Sequence, residues 1–147
     1  DTCGSRDMHA CLDRVLRDHL LPGLDVGFSA LLQDLKQRGL LDETLVVAVG
    51  EMGRTPTFKN RGAQDGRDHW SYCFPALLAG AGIRGGITYG ESDGDAAYPI
   101  AQAVSCEDLA ATIFHALGIS PETRVRDPQG RPVALVDGGS PLVGLLG

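Results

Sequence analysis

The stretch LVVAVG, residues 45–50, decides the expected fold. It is a short, continuous and β-branched run bounded by turn-forming residues, which is typical of a strand buried on both faces of a parallel sheet. A second apolar run, CFPALLAG at 73–80, predicts another buried strand, and a polar, glycine-rich loop over 51–72 separates the two. We therefore expect residues 45–50 and 74–79 to be neighbouring strands of one mostly parallel sheet in an α/β fold.

Two amphipathic helices are expected to cover this sheet. Residues 7–38 carry apolar side chains at three- and four-residue steps, with a kink or break expected at Pro22 and a C-cap at Gly39. A second helix is predicted to begin at Ser105, whose side chain can cap it, and to end at Gly118. Its expected buried stripe consists of Leu109, Ile113, Phe114 and Leu117.

The composition of the chain argues against several classes of protein. The chain has 147 residues, 43% of them hydrophobic, which is enough for one globular core. The net charge is −6 and no basic patch is clustered, so no nucleic-acid partner is expected. No apolar run approaches the ~20 residues that span a bilayer, so no membrane span is expected in this chain. The four cysteines form no CxxC pair, which argues against a zinc finger or a thioredoxin-like site.

Polar side chains flank the two predicted strands. Glu51 comes directly after the first strand, Arg54 follows it, and Asp68 and His69 precede the second strand. Ligands of parallel sheets bind beyond the carboxyl ends of the strands. Carboxylate and imidazole groups suit a divalent metal such as zinc or manganese, and the planar fork of an arginine suits a phosphate or sulfate oxyanion. We therefore predict Glu51, Asp68 and His69 as metal ligands and Arg54 as a catalytic residue.

Each of these residues also has a purely structural interpretation. Glu51 can serve as an N-cap or make hydrogen bonds to loop backbone. Arg54 can form a structural ion pair with Asp65 or Asp68. His69 can pack as a core histidine beside the tryptophan that follows it. The pattern alone leaves these alternatives open.

Two strings carry a family resemblance. GEMGRTP at 50–56 and GRDHW at 66–70 resemble signature motifs of a domain-of-unknown-function family of exported bacterial proteins within the alkaline phosphatase and sulfatase superfamily. The similarity extends over nearly the whole chain, and SCEDLAATIFHALGI at 105–119 is similar to a helix near the end of sulfatases. The resemblance implies an alkaline-phosphatase-like three-layer α/β/α sandwich with a mostly parallel sheet, and an exported or periplasmic location.

The resemblance also implies a set of metal ligands. Glu51 would occupy the place of the superfamily's Asp-His ligand turn, and His69 would match a late metal-binding histidine. Asp1 would match the acidic ligand of a DTHG-like string, which here reads DTCG with Cys3 in place of the histidine. A thiolate can bind zinc, so the altered site can still hold metal. The implied cofactor is a divalent metal: zinc, manganese or calcium.

The resemblance covers only the carboxy-terminal portion of such a domain. The superfamily's nucleophile and first metal-binding acid lie in an amino-terminal half, so residues 1–147 are expected to be a single partial domain that the missing half completes. The expected function is metal-dependent hydrolysis of a small-molecule phosphoric or sulfuric ester. The alternative is a non-catalytic, export-associated or binding domain with a degraded metal site.

Overall fold

The computed structural model describes residues 12–58 and 66–147. The chain enters as helix α1, Leu12–Val15, passes through a π-helical turn, Leu16–Leu20, and continues as α2, Leu21–Gln37. The Leu21 N–H donates to the Leu16 carbonyl, five residues back. In a regular α-helix the ring of Pro22 would clash with the carbonyl four residues earlier, and the wider π turn relieves this crowding. The long predicted helix is thus confirmed over its described residues.

The two apolar runs pair with each other as predicted, but in the opposite orientation. Strand β1, Val46–Val49, lies beside β4, Ala76–Ala79, in an antiparallel register that runs from Val46 opposite Ala79 to Val49 opposite Ala76. Parallel neighbours need a long crossover, usually a helix, to return the chain to the same end of the sheet. The described residues between β1 and β4 contain no helix, so the chain folds back antiparallel.

The predicted three-layer α/β/α sandwich with a mostly parallel sheet is wrong. The described residues form only short, two-stranded antiparallel ribbons. Apolar runs of four residues supply enough side chains for a ribbon, and the described residues of the glycine-rich segment between them form turns and a short ladder rather than a crossover helix. The other ribbons are β2, Gly53–Arg54, with β3, His69–Trp70; β5, Glu91–Ser92, with β6, Pro99–Ala101; and β7, Arg124–Arg126, with β8, Pro132–Ala134.

Helix α3, Cys106–Ala116, begins with a capping box. Ser105 Oγ accepts from the Asp108 N–H at 3.0 Å, and the Asp108 carboxylate accepts from the Ser105 N–H at 3.1 Å. The same carboxylate accepts from the Ser140 N–H at 2.9 Å. One aspartate therefore caps the helix and also fastens the carboxy-terminal tail to it.

The tail contacts α3 at Thr112, a residue outside the predicted buried stripe. Thr112 is fully buried, and its hydroxyl donates to the Asp108 carbonyl at 2.7 Å and accepts from the Leu142 N–H at 2.9 Å. Of the predicted buried stripe, Leu109, Ile113 and Phe114 are half-buried, whereas Leu117 is 62% exposed. A side chain at Gly139 would collide with the Glu107 carbonyl, so the tail reaches α3 only because this residue is glycine.

Few apolar residues are enclosed. Leu145 lies in the tail, and the tail is fixed here by two backbone contacts. The Leu145 carbonyl accepts from the Arg84 N–H at 2.8 Å, and Leu146 pairs with Ile83 in an isolated bridge. Across the two described ranges, no helix combines the length and apolar character needed to cross a membrane. The buried hydrophobic residues of the described chain are Leu12, Ala97, Ala111 and Leu145.

The Asp108 carboxylate gives a prediction about pH. The Ser140 N–H, and next the Ser105 hydroxyl and N–H, lower the pKa of Asp108 below its usual value of 3.8. A lowered pKa contributes stability that is present above the unfolded pKa and is lost as pH falls through the folded pKa. We expect Asp108→Asn to lower the free energy of unfolding at pH 7 by about 1 kcal/mol, the usual worth of a cap. The difference from the parent should shrink below about pH 4.

The free energy of unfolding of both proteins can be measured by denaturant titration at several pH values from about 3 to about 7. Asp95→Asn, at an exposed turn position, is the matched control and should change stability little at any pH. A difference between Asp108→Asn and the parent that stays constant down to pH 3 would contradict the assignment.

Candidate functional site

The candidate residues lie on the β2–β3 ladder, inside the segment that joins β1 to β4. Arg54 lies directly opposite His69, and Gly53 lies opposite Trp70. The Thr55 N–H donates to the Asp68 carbonyl at 2.8 Å, which extends the ladder by one position. The structure therefore brings Arg54, Asp68 and His69 together on adjacent positions of two paired strands.

Gly53 attaches this ladder to the β1–β4 ribbon. A Cβ atom at this position would collide with the Cys73 carbonyl and would lie 3.0 Å from the Trp70 carbonyl. Only glycine allows the two backbones to approach so closely. Cys73 lies just before β4, so the ladder is held at the end of the ribbon where Val49 is opposite Ala76.

The predicted metal ligands are brought together only in part. Glu51 is exposed in the bend between β1 and β2, while Asp68 and His69 are consecutive residues at β3. Among residues 12–58 and 66–147, no three His, Cys, Asp or Glu side chains group as ligands of one ion. A catalytic zinc site uses three protein ligands. Asp1 and Cys3 lie outside the described residues, so the described residues alone do not make the predicted site.

Arg67 is a candidate site residue that the sequence analysis missed. Its guanidinium lies over the Phe58 ring, 4.4 Å from the ring centroid. Its Nε is buried and has no hydrogen-bond partner among the described residues, while its carbonyl accepts from Arg54 Nη1 at 3.3 Å. Arg67 thus lies beside the ladder and is hydrogen-bonded to Arg54 through its backbone, while its own side chain carries a buried donor. Arg67 is part of the GRDHW string, but its sequence position alone does not distinguish it from a surface cation.

Three aromatic rings form a cluster next to the ladder. The Trp70 and Tyr72 centroids are 5.0 Å apart, and Tyr98 lies 5.6 Å from Trp70 and 5.3 Å from Tyr72. The indole Nε1–H donates to the Ala97 carbonyl at 2.7 Å. His69 is exposed, so the interpretation of His69 as a core histidine does not hold. Trp70, which follows it on the strand, makes the aromatic contacts instead.

Asp93 fixes the turn that holds this cluster. Its Oδ1 accepts from the Ala97 N–H at 2.7 Å, and its Oδ2 accepts from the Tyr98 N–H at 3.2 Å. The Asp93 N–H donates in turn to the Tyr98 carbonyl at 2.9 Å. Both carboxylate oxygens therefore act within one turn, which sets the position of the carbonyl that Trp70 binds.

This arrangement predicts the effect of losing the Asp93 carboxylate. Asp93→Ala leaves two amides without their acceptor, so we expect a loss of about 1–3 kcal/mol in the free energy of unfolding. The Trp70 ring should also lose its fixed environment, which near-ultraviolet circular dichroism detects as a weaker aromatic signal. Asp95→Ala, in the same turn, is the control and should change neither quantity. An unchanged aromatic signal in Asp93→Ala would refute the role of this turn.

Comparison with known proteins gives the family. The chain matches the family described as "Protein of unknown function (DUF1501)" over residues 2–146. No curated protein and no solved structure matches the chain. The expected membership in a domain-of-unknown-function family is therefore confirmed at that level. Because the match spans nearly every residue, the chain belongs to the DUF1501 family of proteins of unknown function.

Proposed function

We propose that this chain supplies the oxyanion-binding part of a phosphoric or sulfuric ester hydrolase related to the alkaline phosphatase and sulfatase superfamily. The observation that carries the proposal is that Arg54 Nη1 donates to the backbone carbonyl of Arg67, whose own buried Nε donor has no partner among the described residues. A buried N–H donor without an acceptor is costly, and a bound oxyanion would satisfy it. A guanidinium can give a tetrahedral oxyanion two parallel hydrogen bonds.

The two arginines would act by positioning and by charge. Arg54 is tied to the ladder through its hydrogen bond to the Arg67 carbonyl, and Arg67 is steadied by its contact with Phe58. Cations fixed in this way need little reorganisation when negative charge develops on the transferred group. The proposed substrate is a small-molecule phosphate or sulfate ester in an exported or periplasmic setting. The nucleophile would come from the amino-terminal half that the family resemblance implies.

The metal assignment remains part of the proposal. Asp68 and His69 would need the further ligands Glu51, Asp1 and Cys3 to complete a site for zinc, manganese or calcium. Because the described donors do not form a group of three, no catalytic step is assigned to a metal. The residues that carry the proposal are the arginines, whose role requires no metal.

The arginine proposal predicts loss of anion binding. Arg54→Gln and Arg67→Gln should each weaken the binding of inorganic phosphate or sulfate by about 10- to 100-fold, because each removes charge-assisted hydrogen bonds worth about 1.5–3 kcal/mol. Isothermal titration of the intact protein measures this. Arg38→Gln removes an exposed arginine that pairs with Asp34 on α2, so its affinity should equal that of the parent. Equal affinities in all four proteins would exclude the two arginines from an anion site.

The metal assignment predicts a separate loss. His69→Ala should lower the metal content of the intact protein, measured by plasma mass spectrometry, while its melting temperature stays near that of the parent. His69 is exposed, so its removal uncovers little packed surface. His115→Ala, in the last turn of α3, is the matched control. Metal content that is unchanged in His69→Ala would remove this residue from the ligand set.

The second candidate is a non-catalytic binding domain with a degraded metal site. It is favoured by the lack of a three-ligand group among the described residues and by Cys3 at the place of an expected histidine. The two candidates differ in one outcome. A binding domain would take up phosphate or sulfate through its arginines but would not hydrolyse an aryl phosphate or aryl sulfate ester.

A further inference from the structure

The Thr55 hydroxyl joins two chain segments at the candidate site. Its Oγ1 accepts from the Asp68 N–H at 3.1 Å and donates to the Thr57 carbonyl at 3.0 Å. A hydroxyl has one proton to donate, and here that proton is committed to the Thr57 carbonyl. Asp68 directly follows Arg67 in the chain, and Thr57 directly precedes Phe58. One side-chain oxygen is therefore bonded to a backbone neighbour of each member of the Arg67–Phe58 contact.

Thr55 holds both backbone polar groups of Asp68. The Thr55 N–H donates to the Asp68 carbonyl at 2.8 Å, while the Thr55 hydroxyl accepts from the Asp68 N–H. The Arg67 carbonyl is held as well, since it accepts from Arg54 Nη1 at 3.3 Å. Hydrogen bonds are directional, so these three contacts restrict the backbone next to the residue that carries the buried Nε donor. They thereby set the direction in which the Arg67 side chain leaves the chain.

The position of Phe58 depends on the same hydroxyl. Phe58 is 43% exposed, so packing alone does not fix its ring. Pro56 stands between the two bonded threonines, and its ring locks one backbone dihedral of this short turn. The bond from Thr55 Oγ1 to the Thr57 carbonyl closes the turn just before Phe58. A cation–π contact at an exposed ring is weak, so it needs a backbone that already brings the two groups together.

We infer that Thr55 is the positioning residue of the proposed anion site. Its hydroxyl holds the Arg67 guanidinium 4.4 Å from the centroid of the Phe58 ring and thereby orients the buried Nε donor. Thr55 acts through Arg67 and is assigned no contact with the anion. The inference rests on the proposed function for its purpose, because the orientation of this donor serves an anion. Its geometric part can be measured without any anion.

Two substitutions separate the hydroxyl from the rest of the Thr55 side chain. Thr55→Val keeps the shape of threonine without the hydroxyl, and Thr55→Ser keeps the hydroxyl. In NMR spectra of the intact protein without added anion, the Arg67 Nε–H signal should be displaced by the ring current of Phe58. Thr55→Val should reduce this displacement and speed exchange of the Nε–H by about fivefold, as expected for one lost hydrogen bond. Thr55→Ser should restore both, and an unchanged signal in Thr55→Val would overturn the inference.

Anion affinity is the second readout. With inorganic phosphate as the probe, Thr55→Val should bind about 3- to 10-fold more weakly than the parent, because the Arg67 side chain must then be ordered on binding. Thr55→Ser should bind phosphate as the parent does. Thr123→Val removes an exposed threonine hydroxyl just before β7 and is the control, so its affinity should equal that of the parent. Weaker binding that Thr55→Ser does not restore would overturn the role of the hydroxyl.

The two readouts distinguish failure of the inference from failure of the proposed function. A parent protein that binds neither phosphate nor sulfate would remove the proposed anion site, and the Arg67 signal in the two Thr55 variants would still decide what the hydroxyl holds in place. The unmodified protein supplies a test that needs no variant. The Asp68 amide, which is bonded to Thr55 Oγ1, should be protected from hydrogen exchange. Solvent-like exchange of this amide would overturn the inference.

Discussion

The antiparallel pairing of β1 with β4 is the constraint on which the candidate site depends. Because Val49 lies opposite Ala76, the connecting segment of residues 50–75 begins and ends at the same end of the ribbon. A parallel pair would have required this segment to cross from one end of the sheet to the other. The antiparallel return lets the segment form its own ladder instead. Gly53 then fixes that ladder against the Cys73 carbonyl.

Hydrogen bonds to backbone amides also fix the second half of the chain. The tail is held on α3 by Asp108 and Thr112, whose side chains accept amide hydrogens from Ser140 and Leu142. Such contacts are directional, so they fix the path of the tail without a large apolar interface. This fits a chain in which only 5% of residues are aromatic. It also leaves Leu117 exposed on the same helix.

The fold was predictable from the sequence only where a local pattern determines structure. Helical periodicity located α2, and the capping residue located the start of α3 at Ser105. The apolar runs located β1 and β4 and their pairing, but such a run carries no information about direction. The connecting segment does carry this information: its described residues, 50–58 and 66–75, contain no crossover helix of the kind that parallel neighbours need. The burial of Thr112 on α3 was missed because this residue is polar and is hydrogen-bonded to the Leu142 N–H, 30 residues away in sequence.

The candidate site was likewise predictable only in its local features. Arg54, Asp68 and His69 could be named from their positions beside two strands, and the ladder does bring them together. Their surroundings could not be named, because the stacking of Arg67 on Phe58 depends on how the loop closes. Glu51 has the sequence position of a ligand but lies exposed in a bend. Sequence position therefore identified the segment that carries the candidate site, and the backbone geometry determined which of its residues lie together.

The aromatic cluster has an optical consequence. Trp70 is the only tryptophan of the chain, and two of its three tyrosines, Tyr72 and Tyr98, lie within 5.6 Å of it. Light absorbed by either tyrosine passes to the indole, so emission of the whole protein comes mainly from one ring. That ring is bonded through Nε1 to Ala97 and sits next to His69 on the candidate ladder. The protein thus carries its intrinsic fluorophore on the candidate ladder itself, directly opposite Gly53.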